Sequence, residues 1–557
     1  MISISRLHTV PDIRLIARLK AERFSYVDRS VVLIYDPAPT CCALNLEPCS
    51  SLFTTRNEAL QHALRFQTFA FSAAMPSSQM AAPATATLSG LKVLIAGGSI
   101  GGLATAIALR AQGHSVTIYE QAFTPQTNGA GITIFPNSVR ALEMLGIDTN
   151  HVQATRIIKI TRAQIEDDGV SDTLESDLEA QAWPWHQTTY PDMFVALWES
   201  VHDSSKPGPK IEIITSKSVC RVDTIRAILY FSDGSDAVGD VVIGADGVHS
   251  VCRSFVPGGS LQRFRIKRHV FRALIPRERL ENDPITAKFV ADGGHAHCYN
   301  HNDKSLLITP ASHGKNVCVK FLYEDRTAFT NLSKDWRDPS SKRKLLRLTG
   351  GLPEECVALF GKISDSDLQD QPIWDMDPLI TFQSHRMALM GDAAHPMPPY
   401  CGQRIAMALE DALALGVILE PSTPVSEIDE RLKLYSRTRK TRAVAVQQTT
   451  RGLAEADMRN FAIDFDTASF HTYILGHDER EHMGQTLSAW KKQRSLSQGY
   501  PDNSEQPKQG MEVTQRPLPT AQRRSPTKKW WSMGRKGSRT LARVFHSRQT
   551  SVAVAAT

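Results

Sequence analysis

The stretch Leu91-Lys-Val-Leu-Ile-Ala-Gly-Gly-Ser-Ile-Gly-Gly-Leu103 decides the fold. Residues 92–96 form a strand-length apolar run, a glycine turn follows, and residues 102–112 place apolar side chains at helical spacing. Strand, tight turn and helix in that order are the context of a dinucleotide fingerprint. Gly97 permits the turn, Ser99 holds the middle position of G-x-G-x-x-G, and Gly102 lets the helix pack close to the strand. The helix N-terminus then offers free amides and a positive dipole end to a pyrophosphate. Glu120 lies 23 residues after Gly97, at the end of the next strand-like run, residues 116–120. A carboxylate there can accept hydrogen bonds from both ribose hydroxyls.

Outward from this element, residues 240–245 form a further short apolar run and residues 407–419 return to helical spacing. Strands alternating with longer amphipathic stretches argue an α/β architecture with a parallel sheet. The ends read differently. Residues 1–85 contain one strand-like run, 30–35, and close in a small-residue linker; Met75 and Met80 stand just ahead of the first strong strand. The working protein is expected to begin near one of them. Residues 491–557 carry fourteen Lys and Arg against three acids, a net +11, with no apolar periodicity, and are expected to be disordered. The body, 86–490, carries 42 basic and 49 acidic residues, a net −7, so the overall +6 belongs to the tail. An acidic body disfavours nucleic acid as a partner. No apolar run approaches the roughly 18 residues of a membrane-spanning helix. The nine cysteines contain no CxxC pair and suit a reducing compartment, so a cytoplasmic enzyme is expected. Trp530-Trp531 in the tail offers at most weak membrane-surface contact.

Two further segments narrow the cofactor. Asp240-Val-Val-Ile-Gly-Ala-Asp-Gly-Val-His-Ser-Val-Cys-Arg253 and Arg386-Met-Ala-Leu-Met-Gly-Asp-Ala-Ala-His-Pro396 each place an aspartate just past a short strand. With these, the sequence from about 91 to about 450 resembles the single-component FAD-dependent aromatic hydroxylases, the salicylate- and hydroxybenzoate-hydroxylase-like flavin monooxygenases. The resemblance implies a Rossmann-like FAD-binding domain, an interleaved β-rich substrate domain and C-terminal helices. The monooxygenase body would span 86–450 with its substrate part at about 262–380, a helical segment would follow at 451–490, and the tail would start at 491. Carried over position by position, Gly97, Ser99 and Gly102 would hold the FAD pyrophosphate and Glu120 the adenosine ribose. Gly129-Ala130-Gly131-Ile132 would bring the chain close to the cofactor at Gly131. Asp246 and Gly247 would serve both FAD and nicotinamide, Asp392 the ribitol hydroxyls, and the loop from Pro396 through Ile405 the isoalloxazine.

The activity implied is monooxygenation: NAD(P)H, bound transiently, reduces FAD, and one atom of O₂ passes to an electron-rich aromatic or polyketide-like small molecule. No second G-x-G-x-x-G marks a separate nicotinamide domain. His295, His297, Tyr299 and His301 fall in the substrate part and are candidates to deprotonate a phenol. Plainer roles compete at several positions. Asp246 and Asp392 could be turn or cap residues, His395 a backbone-positioned neighbour of the flavin, and Glu410-Asp411 a solvated or capping pair. Three departures from the family pattern stand out: Arg404 replaces glycine, Ala406 replaces asparagine, and Tyr190 replaces an arginine. A flavin oxidase or dehydrogenase without oxygen insertion is the alternative reading, and a flavin-fold protein without turnover is a third.

Overall fold

The computed structural model describes residues 90–124, 131–166, 169–179, 184–260, 263–325, 342–455 and 471–498. The expectations for residues 1–85, Gly129-Ala130 and the tail beyond 498 lie outside the described residues.

The glycine-turn unit forms as its sequence dictates. Strand β1 (Lys92–Ala96) leads into helix α1 (Ile100–Arg110), and β2 (Ser115–Tyr119) returns beside β1 in parallel. The chain then lays down β3 (Gly131–Ile134), α2 (Pro136–Met144), β4 (Thr155–Ile157), β5 (Lys159–Glu166), β6 (Gly169–Asp177) and β7 (Trp185–Thr189). Helix α3 (Tyr190–His202) starts at a Thr189 cap with Pro191 in its first turn, and the Thr189 hydroxyl accepts from Asp192 N. Strands β8 (Glu212–Ile214), β9 (Val219–Asp223), β10 (Ile228–Phe231), β11 (Asp236–Val238) and β12 (Val241–Gly244) follow. The long strand β13 (Phe264–Pro276), short helices α4 (Glu278–Glu281) and α5 (Lys288–Ala291), and strands β14 (His295–His301), β15 (Lys304–Ala311) and β16 (Asn316–Glu324) come next. Helices α6 (Lys342–Arg347) and α7 (Glu354–Gly361) precede β17 (Gln369–Asp375), β18 (Gln383–Ser384) and β19 (Met387–Leu389). Helices α8 (Arg404–Ile418), α9 (Ile428–Glu455) and α10 (Glu479–Gln498) end the described chain.

Two large sheets organise these elements. One has six strands in the order β18-β19-β12-β1-β2-β8, with β19, β12, β1, β2 and β8 parallel. Its central strands are buried on both faces, as a sheet covered by helices requires. The other has seven strands, β17-β13-β16-β15-β14-β5-β6. It draws β5 and β6 from before the second aspartate motif, so the sheet reaches beyond the 262–380 range expected for the substrate part. Period-2 alternation divides its faces. Phe271, Ala273, Val317, Val319, Phe321 and Tyr323 share one core with α6 and α7, whereas Val270, Arg272, Lys320 and Leu322 turn the other way, into a cavity.

The C-terminal helix corrects one boundary. Helix α10 continues to Gln498, past the point at 491 where disorder was expected. Lys491 Nζ lies 2.6 Å from Glu420, and Arg494 reaches Glu430 at 3.4 Å. Composition missed this turn because its anchors are ion pairs and Trp490, not a periodic apolar face.

Candidate active site

One cavity of about 550 Å³ lies where the glycine turn, the two aspartate turns, the 396–405 loop and one face of the seven-stranded sheet meet. Its first wall is the start of α1. That helix has no side-chain cap and no acid in its first turn, and Ser99, Ile100 and Gly101 border the cavity. The open amides and dipole end therefore face it. Gly97 adopts φ +107°, and a Cβ there would meet Ala245 O at 2.5 Å. A Cβ on Gly102 would lie 2.0 Å from Gly97 O. Both glycines are required by backbone contacts, and neither needs to touch the ligand to matter.

Glu120 sits at the end of β2 with both oxygens engaged locally: Gly98 N donates at 2.7 Å and Ala122 N at 2.8 Å. It thus holds the glycine turn from beneath, in addition to any ligand contact its remaining lone pairs allow. Tyr190 borders the cavity, and burial, with the charge of Glu120 second, pushes its phenol up to about 12. It stays protonated and able to donate.

The two aspartate motifs diverge. The Asp246 carboxylate turns inward, accepting from Ser250 Oγ at 2.6 Å, Val251 N at 2.7 Å and Cys252 N at 3.0 Å. It caps its own turn and stands behind the cavity lining, which Gly247 beside it, at φ +75°, enters. Asp392 does face the cavity. Its carboxylate is bound by Arg404, whose Nη2 and Nε (3.3 Å) both point at it. The arginine of the flavin loop is therefore neither aimed freely at a ligand nor simply crowding the loop: it pairs with the residue expected to hold the ribitol. That pairing raises the Arg404 pKa through the Asp392 charge.

Sequence reasoning missed the group that joins the motifs. Arg253, buried, donates from Nε to Ala393 O at 2.7 Å and from Nη2 to Asp392 O at 2.7 Å. It also reaches Val248 O at 3.1 Å and Gly247 O at 3.3 Å. One guanidinium thus ties the main chain of both aspartate turns together. The 396–405 loop is held from behind in the same manner: Gln447 donates to Pro396 O at 2.9 Å, Thr450 to Pro398 O at 2.8 Å, and Asn137 to Gln403 Oε1 at 2.9 Å. Gly402, at φ +62°, makes the bend before α8, and Ile405 borders the cavity. Ala406 is wholly buried in α8.

His395 is buried, with Nε2 2.7 Å from Asp411 Oδ2, and serves as a packing and hydrogen-bond partner. Glu410-Asp411 is neither solvated nor an acid/base couple at the surface. Both are buried and bind Arg439, with Arg442 forking onto Glu410 at 2.7 Å from Nε and from Nη2. The network runs on to Glu479, around which His477 and His482 gather. The candidate bases on β14 also fall away from the cavity. His295, His297, Tyr299 and His301 all have odd numbers and share one strand face; His297 packs edge-on against Phe289, His295 meets Thr161 Oγ1 at 2.7 Å, and Tyr299 reaches Glu355. The even-numbered Cys298 is the β14 residue that borders the cavity. Of the eight expected cofactor residues, Ser99, Gly131, Asp392 and Ile405 line it, while Gly97, Gly102, Glu120 and Asp246 lie outside the lining, in the turns next to it.

The site fits FAD on its own terms: an uncapped helix start beside an obligatory glycine turn, and one cavity that both this turn and the 396–405 loop border. Comparison with known proteins agrees. The family model described as "FAD binding domain" matches residues 90–450, and the chain belongs to that family. It is 30% identical over 369 residues to hispidin-3-hydroxylase of Neonothopanus nambi, covering 63% of this chain and 86% of that one. It is 28% identical to 3-hydroxybenzoate 6-hydroxylase of Polaromonas naphthalenivorans (strain CJ2), covering 65% and 86%. A crystal structure of CtdE in complex with FAD and a substrate superposes with a TM-score of 0.62 at 20% identity, covering 73% of this chain and all of that one, which supports the fold. The protein is an FAD-dependent monooxygenase.

Proposed function

We propose that this enzyme hydroxylates an electron-rich aromatic small molecule, with NAD(P)H as the transient reductant. The single observation that carries the reading is that the glycine turn, the Asp392 turn and one face of the seven-stranded sheet border the same cavity. FAD, when bound, supplies the redox and oxygen chemistry. The protein's part is placement. Ser99 and the α1 amides would take the pyrophosphate, Glu120 and Asp392 the ribose and ribitol hydroxyls, and the loop ending in Ile405 the ring system. Phe135, Trp185, Leu307 and Met397 give the substrate end an apolar lining that excludes water. The names of the relatives, a hispidin and a hydroxybenzoate hydroxylase, favour an aromatic substrate. All six described cysteines are free thiols, in keeping with a cytoplasmic setting, and no described helix is long and apolar enough to cross a membrane.

The test is direct. Purified protein should carry flavin absorbance, and candidate aromatics should stimulate NAD(P)H oxidation with ¹⁸O from ¹⁸O₂ appearing in product. Stimulated NAD(P)H oxidation without label in any product would instead favour an oxidase, and protein that binds no flavin would overturn the reading.

A further inference from the structure

The run His477-Asp-Glu-Arg-Glu-His482 brings two imidazoles and a carboxylate together at the start of α10, and none of them borders the cavity. His477 Nε2 lies 2.7 Å from Glu479 Oε2, and His482 Nδ1 lies 3.8 Å from the same oxygen. The two rings meet edge to face with centroids 5.2 Å apart. One nitrogen of each histidine and a carboxylate oxygen of Glu479 all lie within 4.8 Å of one another. Nitrogen and oxygen ligands held tetrahedrally on one zinc ion stand about 3.3 Å apart at the usual bond lengths. The two observed separations bracket that spacing.

Hydrogen bonding within the protein accounts for only part of this cluster. Glu479 is buried, and its Oε2 is taken by Arg439 and His477. Glu479 Oε1 and His482 Nδ1 are buried atoms without a hydrogen-bond partner among the described residues, a costly state for a carboxylate oxygen. Burial opposes ionisation, but the charge of Arg439 and the hydrogen bond of His477 hold the Glu479 carboxyl well below the usual range, so it is an anion. The buried network sets Arg439 and Arg442 against Glu410, Asp411 and Glu479, two positive charges to three negative. Arg140, close by, is directed at the main-chain oxygens of Leu475 and His477 rather than at a carboxylate. The dipole of α10 disfavours a cation at its start, but Asp478, Glu479 and Glu481 outnumber Arg480 there.

We propose that His477, Glu479 and His482 bind one divalent transition-metal ion, zinc by the ligand set. Two imidazoles and one carboxylate suit zinc, whereas calcium and magnesium take oxygen ligands. Glu479 gives the ion its free Oε1 and keeps Oε2 on Arg439, the kind of hydrogen-bond partner that a metal-bound carboxylate ordinarily has. The His482 ring is 44% exposed, which gives the ion a way in and leaves a coordination position for water. The ion acts as a fastener rather than a catalyst. It ties the start of α10 to Arg439, whose Nε donates to Asp411 Oδ1 at 2.7 Å, and Asp411 Oδ2 accepts from Gly391 N at 2.8 Å in the Asp392 turn.

Zn²⁺ alone is the probe, applied to untagged, FAD-loaded enzyme first stripped of metal with a chelator. Equilibrium dialysis should show one more Zn²⁺ per chain on the parent than on His482→Ala, with micromolar or tighter affinity. At free Zn²⁺ about 100 times Kd, the midpoint of thermal unfolding of the parent should rise by about 3 °C or more, and Mg²⁺ or Ca²⁺ should leave it unchanged. The His482 side chain makes no hydrogen bond to a described residue. His482→Ala should therefore melt with the metal-free parent yet show neither the bound ion nor the shift, a contrast that a purely structural histidine would not produce. His477→Ala should also lose the ion, and should melt lower because Glu479 loses a donor. Zinc held equally by the parent and His482→Ala would be an adventitious ion only and would overturn the site. A parent that binds no zinc at micromolar free concentration would overturn it as well.

Discussion

Arg253 offers the most exposed test of how the site is assembled. Replacing it with methionine keeps much of the buried stem and removes the guanidinium. Two of its hydrogen bonds, to Ala393 O and Asp392 O, are 2.7 Å long, and those to Val248 O and Gly247 O are 3.1 and 3.3 Å. A hydrogen bond from a charged donor contributes about 1.5–3 kcal/mol, so the two short ones alone amount to about 3–6 kcal/mol. Relief of the buried charge offsets part of this, since burial already depresses the Arg253 pKa. The carbonyls left unpaired act in the opposite direction. The expected net loss is about 4 kcal/mol, with Arg253→Lys intermediate because one ammonium can reach only some of the four oxygens. Urea unfolding should be followed in parallel by flavin fluorescence and far-ultraviolet circular dichroism. Both aspartate turns border the cavity, so flavin release should precede loss of secondary structure in the variant. An Arg253→Met holoenzyme within about 1 kcal/mol of the parent, releasing flavin at the same urea concentration, would refute the idea that this guanidinium clamps the two turns.

Other expectations follow from the same geometry. Glu120→Ala should lower FAD affinity and also cost about 1–3 kcal/mol of stability, since the Gly98 and Ala122 amides lose their acceptor; apoprotein unfolding unchanged from the parent would contradict this. Arg404→Gly should free the Asp392 carboxylate. The pair is part-exposed, 37% and 22%, and contributes about 1 kcal/mol at most, so FAD should bind up to about fivefold more tightly in fluorescence titrations of apoprotein, and weaker binding would count against it. Truncation after Trp490 removes the Lys491 and Arg494 pairs and should cost about 1 kcal/mol with flavin content retained; loss of flavin on purification would show that this turn supports the site.

What the sequence disclosed and what it withheld divide along a physical line. The β1–turn–α1 unit, the acid at the end of β2 and the turns at 246 and 391 are local, and each is specified by residues adjacent in the chain. Hence Ser99, Gly131, Asp392 and Ile405 arrive at one cavity as their motifs indicate. Side-chain partners separated by long stretches were not legible. Arg253 meets Ala393 across 140 residues and Arg439 meets Asp411 across 28, and nothing in either segment announces the other. Strand parity was legible but unused. The four β14 candidates all share one parity, so a single turn of the strand removes every one of them from the cavity together.

The same parity argument, applied to β16 and its neighbour β13, turns Lys320 and Arg272 toward the cavity. Val317-Cys-Val-Lys-Phe-Leu-Tyr323 is an apolar run interrupted by one lysine, and β13 carries Phe271-Arg-Ala273 in the same manner. A lone charge inside an otherwise apolar strand run is costly unless water, a ligand or an acid meets it. The polar end of the cavity holds Arg272, Lys320 and Arg404 against Asp392, three positive charges to one negative. Arg404 therefore reinforces an existing excess. By engaging Asp392 it withdraws the acid that would otherwise screen Arg272, and burial already leaves Arg272 and Lys320 poorly solvated. Loss of Arg404 should accordingly free the Asp392 carboxylate both for FAD and for the charge of Arg272. FAD affinity unchanged in Arg404→Gly would show that the arginine and the cofactor do not compete for Asp392.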